Sequence, residues 1–107
     1  ASPAAISLTT VAEGIFLDAN SRFCELLGWS REALIGCSAL DIALWPTLGE
    51  RAAWRERLLA SGRQQDFTAR WLRRDGQPID VSISADIERH APDPLIALAQ
   101  DQGLRGL

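Results

Sequence analysis

The side chains able to do chemistry in this chain are few. They are one histidine, His90; two cysteines, Cys24 and Cys37; an acidic row, Asp80, Asp86 and Glu88; and two arginines, Arg51 and Arg55. Covalent catalysis needs a nucleophile with a base beside it, and acid–base catalysis needs a paired acid and base. His90 stands alone beside the loop Ala91-Pro92-Asp93-Pro94. The three acids alternate with apolar residues, so they read as the wet face of a strand and not as a dyad. Two lone cysteines make neither a disulfide framework nor a zinc site and read as reduced, mostly buried thiols. Gly14, Gly28 and Gly36 punctuate helices and turns and do not form a phosphate loop. No constellation is complete, so the expectation is a domain without catalytic residues or metal, not an enzyme in itself. The arginines are the sharper feature. An inward guanidinium offers a fixed fork of donors for a carboxylate or phosphate. One that snorkels outward, or pairs with Asp41 or Glu50, has no such role, and this second arrangement is the expectation.

Composition bounds the class. The 107 residues, 47% hydrophobic and 23% charged, suit one globular domain with one core, residues 1–107. A net charge of −3 gives no reason to expect nucleic acid or an anionic membrane as partner. No apolar run approaches the ~20 residues of a membrane helix, and no signal peptide is visible. The chain lacks methionine, so it is expected to be an excerpt of a longer cytoplasmic protein. All basic residues are arginine and tyrosine is absent, which reads as genomic bias.

The elements that must position these side chains follow from local pattern. Residues 5–10 alternate apolar and polar and suit a first strand; residues 15–18 suit a second after the turn at Ala12-Glu13-Gly14. Asn20 sits at an N-cap, with Phe23, Leu26 and Leu27 at helical spacing behind it and Gly28 as the stop. Ser30 caps a second helix that Gly36 ends, and 38–44 reads as a short irregular or helical piece. Thr47 and Glu50 form a capping box for the longest helix, which runs to about Ala60 before Ser61-Gly62. Its apolar arc is expected to hold Leu48, Ala52, Trp54, Leu58 and Leu59, interrupted by Arg51 and Arg55. Residues 65–73 and 78–88 read as a hairpin around Asp75-Gly76, with Phe67, Ala69 and Trp71 sharing one face and Ile79, Val81, Ile83, Ala85 and Ile87 another. Leu95 to Ala99 is nearly all apolar, which suits a strand in the middle of the sheet. Residues 102–107 suit the start of a linker. The order β-β-α-α-α-α-β-β-β, with strand runs flanking the helices, predicts an α+β fold on a five-stranded antiparallel sheet with helices on one face.

The pattern Gly14-Ile15-x-x-x-x-Asn20-x-x-Phe23-x-x-x-x-Gly28-Trp29-Ser30-x-Glu32-x-Leu34-Ile35-Gly36 resembles the front half of a PAS domain. Arg73-Arg74-Asp75-Gly76, the strand with Ser82 and Ser84, and a closing strand ending in Asp101 extend the resemblance over residues 5 to 101. It implies a cytoplasmic sensory module of a bacterial signalling protein, attached to an output domain such as a histidine kinase or a cyclic-di-GMP cyclase or phosphodiesterase. It implies binding of a small ligand or partner; a ligand-free homodimerisation module is the alternative. Haem in this family usually takes an axial histidine from the long helix, and residues 47–61 hold none. The photoreactive flavin domains carry Gly-x-x-Cys after the second helix; counted from Gly36 the matching position is Ala39, and Cys37 is out of register. Flavin binders also place polar amides where this chain has Trp71 and Val81. Neither cofactor is therefore expected. Asp101 matches the Asp of a closing Asp-Ile-Thr signature that couples signal to output, although Gln102-Gly103 follow it here.

The ligand-pocket candidates are Leu17, Phe23, Leu27, Trp45, Arg51, Trp54, Leu58, Phe67, Ala69, Trp71, Val81, Ile83 and Ala99. Two readings fit this aromatic-rich set: a cavity for a small apolar or aromatic molecule, or plain core packing, which is the commoner use of such residues.

Overall fold

A computed structural model of the chain describes residues 4–88 and 95–100. Two strands, β1 (Ala5–Thr10) and β2 (Phe16–Ala19), lead into three helices, α1 (Ser21–Leu27), α2 (Arg31–Leu34) and α3 (Leu48–Ser61). Three strands follow: β3 (Arg63–Leu72), β4 (Pro78–Glu88) and β5 (Leu95–Gln100). The strands make one five-stranded sheet in the order β2-β1-β5-β4-β3, with every pairing antiparallel. The PAS-type α+β architecture and the central place of the last strand are as the sequence predicts.

The helix ends are set by short side chains. Asn20 accepts from the Phe23 N–H and Ser30 from the Ala33 N–H, so each caps a first turn. Asn20 does more, because its Oδ1 also accepts from the Ile6 N–H at 3.0 Å and its Nδ2 donates to the Ala4 carbonyl at 2.9 Å. One residue thus fastens α1 to β1. Thr47 Oγ1 accepts from the Glu50 N–H, and its hydroxyl donates to the Glu50 carboxylate rather than leaving that carboxylate to the backbone. Gly28 and Gly62 end α1 and α3 at φ of 80° and 77°, conformations that glycine adopts without a Cβ clash.

Residues 38–44 form turns, so three helices are present among the described residues and not four. Ser38 and Asp41 each accept the other's backbone N–H at 3.0 Å, a closed local exchange that competes with helix. Ala43 then takes a positive φ of 51°, which no helix continues through.

Two β-bulges shape the sheet. Thr9 pairs with Phe16 while Leu8 pairs with Asp18, so Leu17 is the extra residue of β2. In β3 the ladder runs from Gln64↔Ala85 to Phe67↔Ile83, so Gln65 and Asp66 share one partner, Ser84. Asp66 has φ 53° there, and its N–H donates to Ser84 Oγ. The free side of β2 is covered by residues 36–39: Phe16 N–H donates to the Cys37 carbonyl and Gly36 N–H to the Phe16 carbonyl.

The core lies between the helices and the sheet's inner face. Phe16, Phe23, Leu27, Leu34, Leu58, Trp71, Val81 and Ile83 are all buried there. Phe23 meets the Trp71 ring edge-on at 6.2 Å between centroids. The opposite sheet face carries Asp80 paired with Arg70 and Asp86 paired with Arg63, both at 3.1 Å, solvated ion pairs as the alternation predicts.

Candidate ligand cavity

α3 brings the site together. Its inner stripe is Arg51, Trp54, Arg55 and Leu58, spaced i, i+3, i+4 and i+7. Trp54 and Leu58 are buried, whereas the expected apolar-arc members Leu48 and Leu59 are exposed and Ala52 is exposed with them. The two arginines are members of the core-facing stripe and not interruptions of it.

Between this stripe and the sheet lies a cavity of about 20 Å³. Thr9, Gly14, Phe16, Ala39, Leu44, Trp45, Arg51, Trp54 and Trp71 line it. Three indoles stand on its wall: the Trp45 ring centroid lies 5.6 Å from that of Trp54 and 5.8 Å from that of Trp71. Trp54 is 3% exposed and Trp71 1% exposed, and the Nε1–H of each is buried without a partner. A buried donor left unpaired costs roughly 1–3 kcal/mol, so two in one wall are a notable expense.

Arg51 is half-buried and makes no hydrogen bond or ion pair with any described residue. It does not pair with Asp41, which is engaged with Ser38, or with Glu50, which takes the Thr47 hydroxyl. The expected pairing with Asp41 or Glu50 is corrected. Burial, and then the like charge of Arg55, hold its guanidinium below the usual value. Arg55 is itself tethered, its Nε–H donating to the Val11 carbonyl at 3.1 Å. Gly14 makes room for Arg51: a Cβ there would stand 2.8 Å from the guanidinium nitrogen Nη2, and the backbone φ is 69°.

Of the predicted site residues, Trp45, Arg51, Trp54 and Trp71 meet at this cavity. Phe23, Leu27, Leu58, Val81 and Ile83 are buried in the surrounding core without lining it, and Phe67 and Ala69 pack against that core half-buried. Leu17 is a correction. It is 42% exposed, because the bulge turns it outward and gives the inner position to Phe16. The backbone of Ala99 pairs in register with Ile6 and Ser84, and its side chain lies outside the described residues. Asp101 and His90 lie outside the described residues. Thr9, Gly14, Phe16, Ala39 and Leu44 were not among the predictions. Gly14 carried a signal as a turn glycine, and Ala39 as the position that matches the cysteine of the photoreactive flavin domains.

The cavity volume is about 20 Å³, against roughly 300–1,000 Å³ for a pocket that takes a drug-sized ligand. Ala39 lies on its wall, whereas the Cys37 thiol donates to the Ala33 carbonyl at 3.3 Å. Burial pushes the other thiol, Cys24, up in pKa. Among the described residues no group of three or more His, Cys, Asp or Glu side chains is placed to hold a metal ion, and no helix is long and apolar enough to cross a membrane.

The fold is similar to several solved structures. A PAS domain from a two-component sensor histidine kinase superposes with TM-score 0.76 at 19% identity, covering 94% of this chain and 85% of that one. The PAS domain of a LuxR-family transcriptional regulator from Burkholderia thailandensis, in complex with ethanol, gives 0.71 at 20% identity, covering 95% and 92%. A LOV protein of Rhodobacter sphaeroides gives 0.75 at 22% identity, covering 98% of this chain and 62% of that one. No curated protein matches by sequence. A PAS-domain family model matches residues 3–93. With the sheet order, the capped helices and the cavity beneath α3, that match establishes that the chain belongs to the PAS domain family.

Proposed function

We propose that this chain is the sensory module of a larger cytoplasmic bacterial signalling protein, with no catalysis of its own, and that a small molecule entering the cavity beneath α3 biases an attached output domain. The observation that carries this reading is the cavity lined by Arg51, which has no partner among the described residues, and by Trp54 and Trp71, whose indole N–H groups are buried and unpartnered. Native cores rarely leave buried donors such as the Trp54 and Trp71 N–H groups unpaired. The volume of about 20 Å³ holds about one water, so a ligand enters only as the wall opens; the similar domain from Burkholderia thailandensis is in complex with ethanol. A ligand shifts the output only by its differential affinity for two states of the domain. The output is a histidine kinase or a cyclic-di-GMP cyclase or phosphodiesterase; neither haem nor flavin takes part. Native mass spectrometry of the freshly purified chain, with an absorption spectrum of the same sample, tests this. A small bound mass without visible colour supports it, and a visible absorption band refutes it.

A second reading, a ligand-free homodimerisation module, is favoured by Ile6, which is 39% exposed on the outer face of β1, one strand in from the sheet's edge. A bare polypeptide mass found mainly as dimer would move the assignment there.

A further inference from the structure

Arg22, Arg31, Arg63 and Arg70 pair with acidic side chains, and Arg55 donates to the Val11 carbonyl. Arg73 and Arg74 have no such neutralisation. They open the β3–β4 turn where it meets the end of α1, with the Arg74 N–H donating to the Leu27 carbonyl at 2.8 Å. Neither guanidinium makes a hydrogen bond or ion pair with any described residue. Asp75, the next residue, accepts from the Gln77 N–H instead. Both arginines are nonetheless held in place. The Arg74 guanidinium lies 4.9 Å from the centre of the Trp29 ring, which packs against the core. Arg73 carries its Nη2 to within 3.6 Å of where a Cβ on Gly28 would stand, and its Nε is buried without a partner. The end of α1 attracts positive charge, yet no described carbonyl there accepts from either side chain. Leu27, Gly28, Arg73, Arg74 and Asp75 line an open groove of about 370 Å³.

Two consecutive forks without a carboxylate make a positive island on a chain of net charge −3. A small-molecule pocket buries most of its ligand, whereas this groove would leave a metabolite largely in water. A protein segment brings its own surface to close the open side. We infer that this corner docks an acidic segment of a protein partner, its carboxylates taken by the Arg73 and Arg74 guanidiniums. Stacking occupies one face of the Arg74 fork and leaves its edge for a carboxylate, so part of the ordering cost of binding is already met. The corner shares no lining residue with the cavity beneath α3 and acts independently of it.

The test titrates the 107-residue chain with a blocked tetraglutamate peptide at low ionic strength, following backbone and indole N–H resonances by NMR. A blocked tetraglutamine peptide and sodium phosphate are the comparison probes. The expected result is saturable binding of tetraglutamate at about 0.1–10 mM, with the shifts centred on Gly28, the Trp29 indole, Arg73 and Arg74. Arg74→Gln should weaken it at least about fivefold, and Arg74 is exposed, so its replacement leaves the fold intact. Arg63→Gln removes the same charge from the sheet's outer face and should leave binding within about twofold. Arg63→Gln weakening binding as much as Arg74→Gln does, or tetraglutamine binding as tightly as tetraglutamate, would overturn the inference. Shifts scattered away from the corner, or no saturable binding, would overturn it too. Phosphate binding there more tightly than the peptide would assign the corner to a small anion and overturn the protein partner.

Discussion

Asn20 offers the most direct test of how this fold is assembled. Replacing it with alanine removes the acceptor for the Phe23 N–H, the acceptor for the Ile6 N–H and the donor to the Ala4 carbonyl. Loss of the cap alone costs about 1 kcal/mol. The other two groups sit where water reaches part of the geometry, so each adds about 0.5 kcal/mol, the low end for a protein hydrogen bond. Asn20→Ala should therefore lose about 2 kcal/mol, or roughly 10 °C in melting midpoint for a domain of this size. Asn20→Asp separates the parts. Its carboxylate keeps both N–H partners and sits favourably at a helix start, but it cannot donate to Ala4. It should lose no more than about 1 kcal/mol. Urea denaturation followed by tryptophan fluorescence, with the slope unchanged, reads both values. A loss below about 0.5 kcal/mol for Asn20→Ala would show that Asn20 does not fasten α1 to β1. Equal losses for the two variants would show that the cap contributes nothing.

Trp71→Ala should destabilise by about 3–5 kcal/mol, because the indole is buried against Phe23 and Trp45; a denaturation shift worth less than about 1 kcal/mol would contradict that packing. Gly14→Ala should lose at least about 1–2 kcal/mol from its left-handed backbone alone. Part of any further loss should return in the double variant with Arg51→Ala, and strict additivity in that cycle would mean the two residues do not touch. Asp18 is held below its ordinary carboxyl value of 3.8, first by the hydrogen bond from Arg31. The unfolded chain then binds the proton more readily, so this contribution is present above that value and is lost as pH falls through the folded one. Asp18→Asn should flatten the pH dependence of the urea midpoint below about pH 4; an unchanged slope would exclude the contribution.

What could be read from sequence was what neighbouring residues decide among themselves. Asn20, Ser30 and Thr47 cap helices because a short polar side chain reaches a backbone N–H three residues on, whatever the rest of the chain does. Asp75-Gly76 turns the β3–β4 hairpin for the same local reason, with Gly76 at φ 85°. The misreadings arise where distant partners decide. Leu17 and Phe16 exchange roles through a bulge that exists only against β1. Arg51 looked like a surface residue because arginines in long helices usually are; a glycine 37 positions earlier opens the space it occupies. The segment 38–44 lost its helix to a Ser38–Asp41 exchange that only a sidelong reading of turn chemistry would have favoured.

The place of β5 in the sheet bears on how the protein comes into being on the ribosome. β5 joins β1 to β4, so the strand at the centre is made last and pairs with the one made first. Until it emerges, β1–β2 and β3–β4 are two separate hairpins with no common neighbour, and two-stranded ribbons are marginal alone in water. The nascent polypeptide therefore spends its synthesis without a closed core, with Trp54 and Trp71 open to chaperones or to other chains. Such long-range closure also places folding among the slower topologies. A premature stop after β4 would leave not a weakened sensor but two unjoined halves, a substrate for proteolysis.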